Sequence, residues 1–225
     1  MVGKVLEWLE KCWNASVAQN SAASVVAVDH FAGGKSLLAA TNDGVVKVMD
    51  ARTAKYVMDL KVSVSPCGLI RGLCAMGDRW VGVGFSSGFI SVVDIRTGMF
   101  LGNWKAHDGE ILQMVSVSDS AFVSSSLDLA VSVWSATDTR LMHHLRTGNE
   151  PLHLVSCAWP RGPLISGSTA NRISIHASVM NPVKEPALSR LTSDSIKGLI
   201  CSLAPLPLNK LVLLGSDNGS ITLFA

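Results

Sequence analysis

One short stretch of the sequence carries a pattern associated with nucleophilic catalysis. Gly84, Ser86 and Gly88 fit G-x-S-x-G within VGVGFSSGFISVVD, residues 81–94. In a nucleophile elbow this pattern forms a sharp turn between a strand and a helix, and the serine attacks a carbonyl carbon. The alternative is a hairpin turn between two strands, so the residues around Ser86 decide between an enzyme and a binding protein.

The residues after Gly88 predict a strand. FISVVD alternates with a period of two and is rich in Val and Ile, which favours a strand over the helix that an elbow requires. No His and Asp follow Ser86 in a recognisable triad arrangement. We therefore interpret Ser86 as a hairpin-turn residue and keep a serine hydrolase that uses Ser86 as an alternative.

The same arrangement recurs five times along the chain. Each copy is an apolar run, a small polar turn and a second apolar run, and the turn positions lie 44, 41, 42 and 48 residues apart. This period is typical of WD40-type propeller repeats and not of helical solenoids. The copies are 37–50, 81–94, 122–135, 164–177 and 213–225, with Gly44, Gly88, Leu129, Asn171 and Gly219 at the turn.

Further strand-like runs flank the hairpins, so that one repeat supplies four antiparallel strands, which make one propeller blade. The sequence predicts an all-β fold, a WD40-type β-propeller region over 1–225 with about five blades in this chain. We expect blades at 24–60, 69–104, 111–145 and 151–192, and an incomplete last blade at 198–225.

The head of the chain leaves alternatives open. VGKVLEWL at 2–9 resembles TGMFLGNW at 97–104, so we interpret it as the outer strand of a preceding blade. Residues 4–13 also fit an amphipathic helix. Because WD40 rings commonly have seven blades, we expect this chain to be part of a seven-bladed ring. A closed five-blade ring, which would remove the exposed sheet edges, is the alternative.

Composition argues against several classes of protein and site. Lys and Arg total 19 against 17 for Asp and Glu, without the basic stripe that a nucleic-acid partner requires. The five cysteines lie far apart, without C-x-x-C pairs or matching histidines, so we expect reduced cysteines in a cytosolic protein, no metal site and no cofactor. The longest apolar tract, 198–208, is too short to span a bilayer.

The third copy resembles the WD40 consensus most closely. AHDGEI at 106–111 takes the place of its G-H dipeptide, SLD at 126–128 that of its S-x-D turn, and Trp134 that of its tryptophan. The resemblance implies a hydrogen-bonded chain inside the blade, in which the carboxylate accepts from the imidazole and the indole donates to the serine. The residues implied are His107, Ser126, Asp128 and Trp134.

Longer stretches resemble the family of large proteins that combine a BEACH domain with WD40 repeats. They are 83–113, 123–128 and 213–219. This resemblance implies a non-enzymatic regulator at the cytosolic face of endosomal and lysosomal membranes. Such a regulator acts in endosome maturation and autophagy, restraining the class III phosphatidylinositol 3-kinase complex together with a second WD-repeat protein. Membrane contact would be peripheral and would depend on the full-length protein.

Propellers bind partners through the loops at their rims, where a rigid frame holds the side chains. Exposed charges near an aromatic side chain can anchor and orient a protein partner. From one rim we select Lys105, Asp108, Arg146 and Glu150 as candidate contacts, with Phe85 added by the neighbouring hairpin turn.

The predicted function is therefore a protein-interaction scaffold, with direct phosphoinositide binding as the alternative. Lipid-binding propellers carry a paired-arginine motif, whereas Arg52, Arg96 and Arg161 each stand singly.

Overall fold

The computed structural model describes most of the chain between residues 23 and 224. The described ranges are 23–31, 33–53, 55–62, 67–146, 149–157, 162–176, 198–206 and 211–224. Within them the secondary structure consists of strands, so the all-β prediction is confirmed. No helix in these ranges has the length and apolar character needed to cross a bilayer.

The strands form five antiparallel sheets in sequence order, which we call blades 1 to 5. Blades 1 to 3 contain β1 (Val25–His30), β2 (Ser36–Thr41), β3 (Val45–Asp50), β4 (Lys55–Lys61), β5 (Ile70–Met76), β6 (Trp80–Phe85), β7 (Phe89–Asp94), β8 (Phe100–Lys105), β9 (Ile111–Ser118), β10 (Ala121–Ser126), β11 (Ala130–Ser135) and β12 (Leu141–Arg146). Blades 4 and 5 contain β13 (Leu152–Cys157), β14 (Leu164–Ser168), β15 (Ile173–His176), β16 (Ile200–Leu206), β17 (Leu211–Ser216) and β18 (Ile221–Phe224).

The five turn positions that define the sequence repeat share one backbone conformation. Each has a positive φ: 84° at Gly44, 79° at Gly88, 66° at Leu129, 59° at Asn171 and 80° at Gly219. The left-handed region costs glycine little, and asparagine visits it more readily than most residues, whereas leucine does so only under constraint. The five turns therefore share one backbone geometry, so residues at equal distances from the turn position occupy equivalent places in the five blades.

The apolar core lies between blades rather than inside a single sheet. Leu38 and Val48 of blade 1 pack against Leu73 and Val83 of blade 2. The contacts between blades 2 and 3, 3 and 4, and 4 and 5 repeat this arrangement. Because the middle strands of a packed blade are covered on two faces, their residues are apolar over long runs, as in VGVGF and FISVV.

Side chains also join the innermost strands across the blades. Asp29 Oδ2 accepts the Ala75 N–H at 2.7 Å, and Gln113 Oε1 accepts the Val155 N–H at 2.6 Å. His153 Nε2–H donates to the Ile200 carbonyl oxygen at 2.7 Å. These bonds satisfy backbone groups that the inner strands do not pair within their own sheets, which fixes neighbouring blades relative to each other.

Several sequence predictions fall outside the described residues. They concern the head strand at 2–9, the choice of strand or helix at 4–13, and the end of the fourth blade beyond residue 176. The domain bounds and the seven-bladed ring stay predictions.

Candidate functional site

The G-x-S-x-G serine lies in a hairpin turn between two strands. β7 begins at Phe89, just after the turn, so the strand-turn-helix geometry of a nucleophile elbow is not present at this serine. Ser86 Oγ accepts the Leu69 N–H at 3.0 Å, and the Ser86 N–H donates to the Leu69 carbonyl at 2.8 Å. The serine thus ties the hairpin turn to the residue that precedes the innermost strand.

Two other blades make the same connection with different side chains. Asn42 Oδ1 accepts the Ser24 N–H at 2.9 Å, and Asp217 Oδ1 accepts the Leu199 N–H at 2.9 Å. Asn42 and Asp217 occupy the repeat position of Ser86, two residues before the turn glycine. Each of the three side chains presents an oxygen atom that accepts the hydrogen bond, and this is the chemical property that the position requires.

The two glycines of the pattern have packing functions. A Cβ on Gly84 would lie 2.6 Å from Ile111 Cγ2 and 2.7 Å from Met114 Sδ, both on the inner strand of blade 3. Gly88 has a positive φ, and a Cβ there would meet the carbonyl oxygens of His107 and Gly109. Glycine is therefore needed at both positions so that blade 3 and its loop can approach closely.

Blade 3 contains a buried hydrogen-bonded chain centred on Ser124. Trp134 Nε1–H donates to Ser124 Oγ at 2.9 Å, and His107 Nε2 lies 2.8 Å from the same oxygen. His107 Nδ1 lies 3.0 Å from Asp128 Oδ2. The carboxylate can only accept, so the imidazole proton is on Nδ1, and Nε2 accepts from the Ser124 hydroxyl.

The prediction that Ser126 takes part in this chain is wrong. Ser126 lies two residues further along β10, at the turn, and its Oγ accepts the Asp128 N–H at 3.2 Å. Ser124 pairs with Ser132 across the sheet and Phe122 with Trp134, so the indole extends diagonally to Ser124. Strand register, which the turn motif does not specify, decides which serine is used.

The titratable members of the hydrogen-bonded chain in blade 3 have defined protonation states. Burial lowers the pKa of His107 and outweighs the opposing effect of the Asp128 carboxylate, so the imidazole is neutral. For Asp128 partial burial acts to raise the pKa, but His107 and the N–H groups of Asp108 and Ala130 lower it below its ordinary value. The hydrogen-bonding groups of these side chains are paired with one another, which indicates a structural role in the blade.

The predicted partner contacts differ in accessibility. We define the upper rim as the side that carries the β2–β3, β6–β7 and β10–β11 turns and the loops between blades. Lys105, Asp108 and Arg146 are exposed there, and the Lys105 ammonium also donates to the Ser87 carbonyl at 2.6 Å. Glu150 is half-buried, accepts from Ser168 Oγ at 2.7 Å and pairs with Arg172 at 3.4 Å.

Phe85 is fully buried, so the prediction that it contacts a partner is wrong. It is the last residue of β6, and its ring packs with Ile70 and Val83 in the core between blades 1 and 2. The error came from assigning the residue before the turn to the exposed turn itself.

Two leucines on the upper rim were missed by the sequence reasoning. Leu69 is 51% exposed beside Ser86, and Leu127 is 49% exposed between Ser126 and Asp128. Leu127 occupies the middle of the S-x-D turn, where the side chain points away from the blade, and that position was a signal in the sequence. The rim therefore combines exposed leucines with the charges of Lys105, Asp108 and Arg146.

The inner strands also line a central cavity of about 510 Å³. Its walls carry Asp29, Arg71, Gln113 and His153, but the side chains of these residues bond to the protein itself. Within the part of the chain that the structure describes, no group of three or more His, Cys, Asp or Glu side chains is arranged to hold a metal ion.

Five antiparallel blades built on one repeat, packed face to face around a central cavity, make this chain a WD40-type β-propeller. Its particular resemblance is to WD repeat-containing protein 81. The protein of that name from Danio rerio is 34% identical over 193 residues, which are 84% of this chain and 9% of that protein. The Homo sapiens protein is 35% identical over 193 residues, 84% of this chain and 10% of that protein.

The comparison with solved structures concerns the fold alone. A chain in the crystal structure of the mitotic checkpoint complex superimposes with a TM-score of 0.69 at 18% identity, over 92% of this chain and 64% of that chain. No protein-family model matches the sequence. The chain spans about a tenth of the length of the curated relatives it matches.

Proposed function

We propose that the chain is a non-enzymatic protein-interaction scaffold that binds partners through its upper rim. The observation that carries the proposal is the rim itself, where Leu69 and Leu127 are half exposed among charged side chains. Interfaces commonly place apolar side chains at the centre of a polar, charged border. The blades below supply a rigid frame, because their core residues are buried between sheets.

The similarity to WD repeat-containing protein 81 supports a more specific form of the proposal. In that form the chain acts at the cytosolic face of endosomal and lysosomal membranes in endosome maturation and autophagy. Its partners are a second WD-repeat protein and the class III phosphatidylinositol 3-kinase complex, whose activity it restrains. The membrane itself is contacted peripherally, through the full-length protein.

The experiment measures binding of the purified chain to a reconstituted class III phosphatidylinositol 3-kinase complex, and the activity of that kinase on phosphatidylinositol liposomes. We expect Leu127→Asp and Arg146→Glu to weaken binding, because both alter the upper rim. Arg52→Glu is the matched control, because Arg52 is an exposed arginine in the β3–β4 turn on the opposite rim.

Equal effects of Arg146→Glu and Arg52→Glu on binding would contradict the assignment of the upper rim as the partner-binding surface. Liposome flotation of the chain alone distinguishes the alternative function. Salt-sensitive binding to phosphoinositide liposomes without any protein partner would favour a lipid-binding propeller instead.

A further inference from the structure

The outer strands of blades 1, 2 and 3 each end in a basic residue at the upper rim. Lys61, Lys105 and Arg146 are the last residues of β4, β8 and β12. Each of them pairs with the residue that directly follows the turn position of its own blade. The three residues therefore occupy one repeat position, and it is basic in each blade whose outer strand the structure describes. We call these three residues the basic row.

The side chains of the basic row are exposed and keep their charge. Among the described residues, no carboxylate forms an ion pair with Lys61, Lys105 or Arg146. The Lys105 ammonium donates to the Ser87 carbonyl oxygen at 2.6 Å and lies 5.8 Å from the centroid of the Phe89 ring. These contacts hold the ammonium group in place without neutralising it. An exposed rim charge of this kind is available to attract and orient a partner of opposite charge.

Two arginines of the opposite rim differ from the basic row, because they have carboxylate partners. Arg96 lies 2.8 Å from Asp78, and Arg140 lies 3.8 Å from Asp138. Arg140 directly precedes β12, and Arg146 ends the same strand. One strand therefore connects an arginine that is paired within the molecule to an arginine whose charge faces solvent.

An exposed leucine lies between two members of the basic row. The Leu127 N–H donates to the Glu110 carbonyl oxygen at 3.0 Å, so the turn of blade 3 contacts the loop that follows Lys105. The same turn leads into β11, whose first residue, Ala130, pairs with Arg146. Leu127 is 49% exposed and is thus flanked along the rim by two cations. This arrangement is complementary to an apolar side chain between acidic side chains.

We propose that the basic row binds an acidic segment of a protein partner, whose carboxylates meet Lys105 and Arg146 and whose apolar side chain packs on Leu127. The inference rests on the proposed function, because it names the chemistry of the segment that the upper rim binds. The turns that carry Asp43 and Asp128 lie on the inner side of the row. A flat anionic membrane would meet these carboxylates together with the cations, whereas an extended segment can follow the row, which favours a protein partner.

The test measures binding of the 225-residue chain to a fluorescent peptide of glutamates with one central leucine, by fluorescence anisotropy. We expect binding that weakens as NaCl is added, because salt screens exposed charges. Lys105→Glu and Arg146→Glu should each raise the Kd about fivefold, since each replaces the attraction of an exposed pair by repulsion. Lys61→Glu should also raise the Kd. The matched control is Arg140→Glu, which makes the same change of charge at the other end of β12 and should bind like the natural sequence.

A reversal of charge on both partners gives the sharper result. The chain that carries both Lys105→Glu and Arg146→Glu should bind a peptide with lysines in place of the glutamates more tightly than the natural sequence does. Circular dichroism establishes that each variant is folded. Failure of the natural sequence to bind the glutamate peptide would overturn the proposal, as would equal effects of Arg146→Glu and Arg140→Glu. Binding to phosphatidylserine vesicles without binding to the peptide would assign the row to a membrane and would also overturn it.

The peptide experiment separates this inference from the proposed function. If Leu127→Asp and Arg146→Glu weaken binding to the kinase complex while the natural sequence ignores the glutamate peptide, the proposed function stands and the inference fails. If the peptide binds through the basic row while the kinase complex does not bind, the inference stands and the partner in the specific form of the proposed function is wrong.

Discussion

Replacing Ser124 by alanine tests the buried hydrogen-bonded chain of blade 3. Ser124 is fully buried and bonds both to the Trp134 indole at 2.9 Å and to the His107 imidazole at 2.8 Å. The variant leaves one buried donor and one buried acceptor without a partner. Each unsatisfied group costs about 1–3 kcal/mol, so we expect the free energy of unfolding to fall by about 2–6 kcal/mol.

Ser126→Ala is the control, because the WD40 consensus implies Ser126 as the serine of the hydrogen-bonded chain, whereas the strand register selects Ser124. It removes one hydrogen bond, from the Asp128 N–H, and the expected loss is about 0.5–1.5 kcal/mol. The measurement is urea unfolding followed by tryptophan fluorescence, with the variants compared at equal m-values. A loss for Ser126→Ala as large as that for Ser124→Ala would refute the reasoning and restore Ser126 to the chain.

Four further predictions follow from individual contacts. Gly84→Ala should destabilise the fold by about 1–3 kcal/mol in thermal unfolding, because its Cβ would overlap blade 3, whereas Gly33→Ala, which has open space around it, should not. Phe85→Ala should cost about 3–5 kcal/mol in urea, the loss typical of a buried ring, and a smaller change would return Phe85 to the surface. Ser86→Ala should cost about 0.5–1.5 kcal/mol, while Ser86→Asn should retain stability because Asn42 performs the same function in blade 1; equal melting temperatures of the two variants would contradict this. Because burial lowers the pKa of His107 in the fold, the unfolded chain binds the extra proton first, so stability should fall as the pH drops below about 6.5, and a His107→Asn variant should lose this pH dependence of its urea midpoint.

The repeat was visible in the sequence because local chemistry enforces it. Gly44, Gly88 and Gly219 stand where the backbone requires a positive φ, and Asn171 tolerates the same conformation. Alternating Val and Ile on either side predicted strands for the same local reason. These features predicted the strands, the hairpins and the propeller class without any knowledge of which residues meet in space.

The errors at the site came from contacts between residues that are distant in sequence. Ser124 rather than Ser126 joins His107 and Trp134, because the register of β10 against β11 brings the indole over the earlier serine. Phe85 is buried by blade 1, which the sequence of its own hairpin does not reveal. Ser124 and Phe85 each lie within two positions of a turn that the sequence correctly predicted.

The sequence by itself determined the period, the turn positions and the all-β class, since these depend on backbone conformation and alternating hydrophobicity within a few residues. Only the tertiary structure decided which faces are covered: Val46 is buried by blade 2, whereas Ile221 at the same position of blade 5 is exposed. The physical reason is that the burial of a residue depends on the sheet packed against it, and that sheet belongs to another repeat.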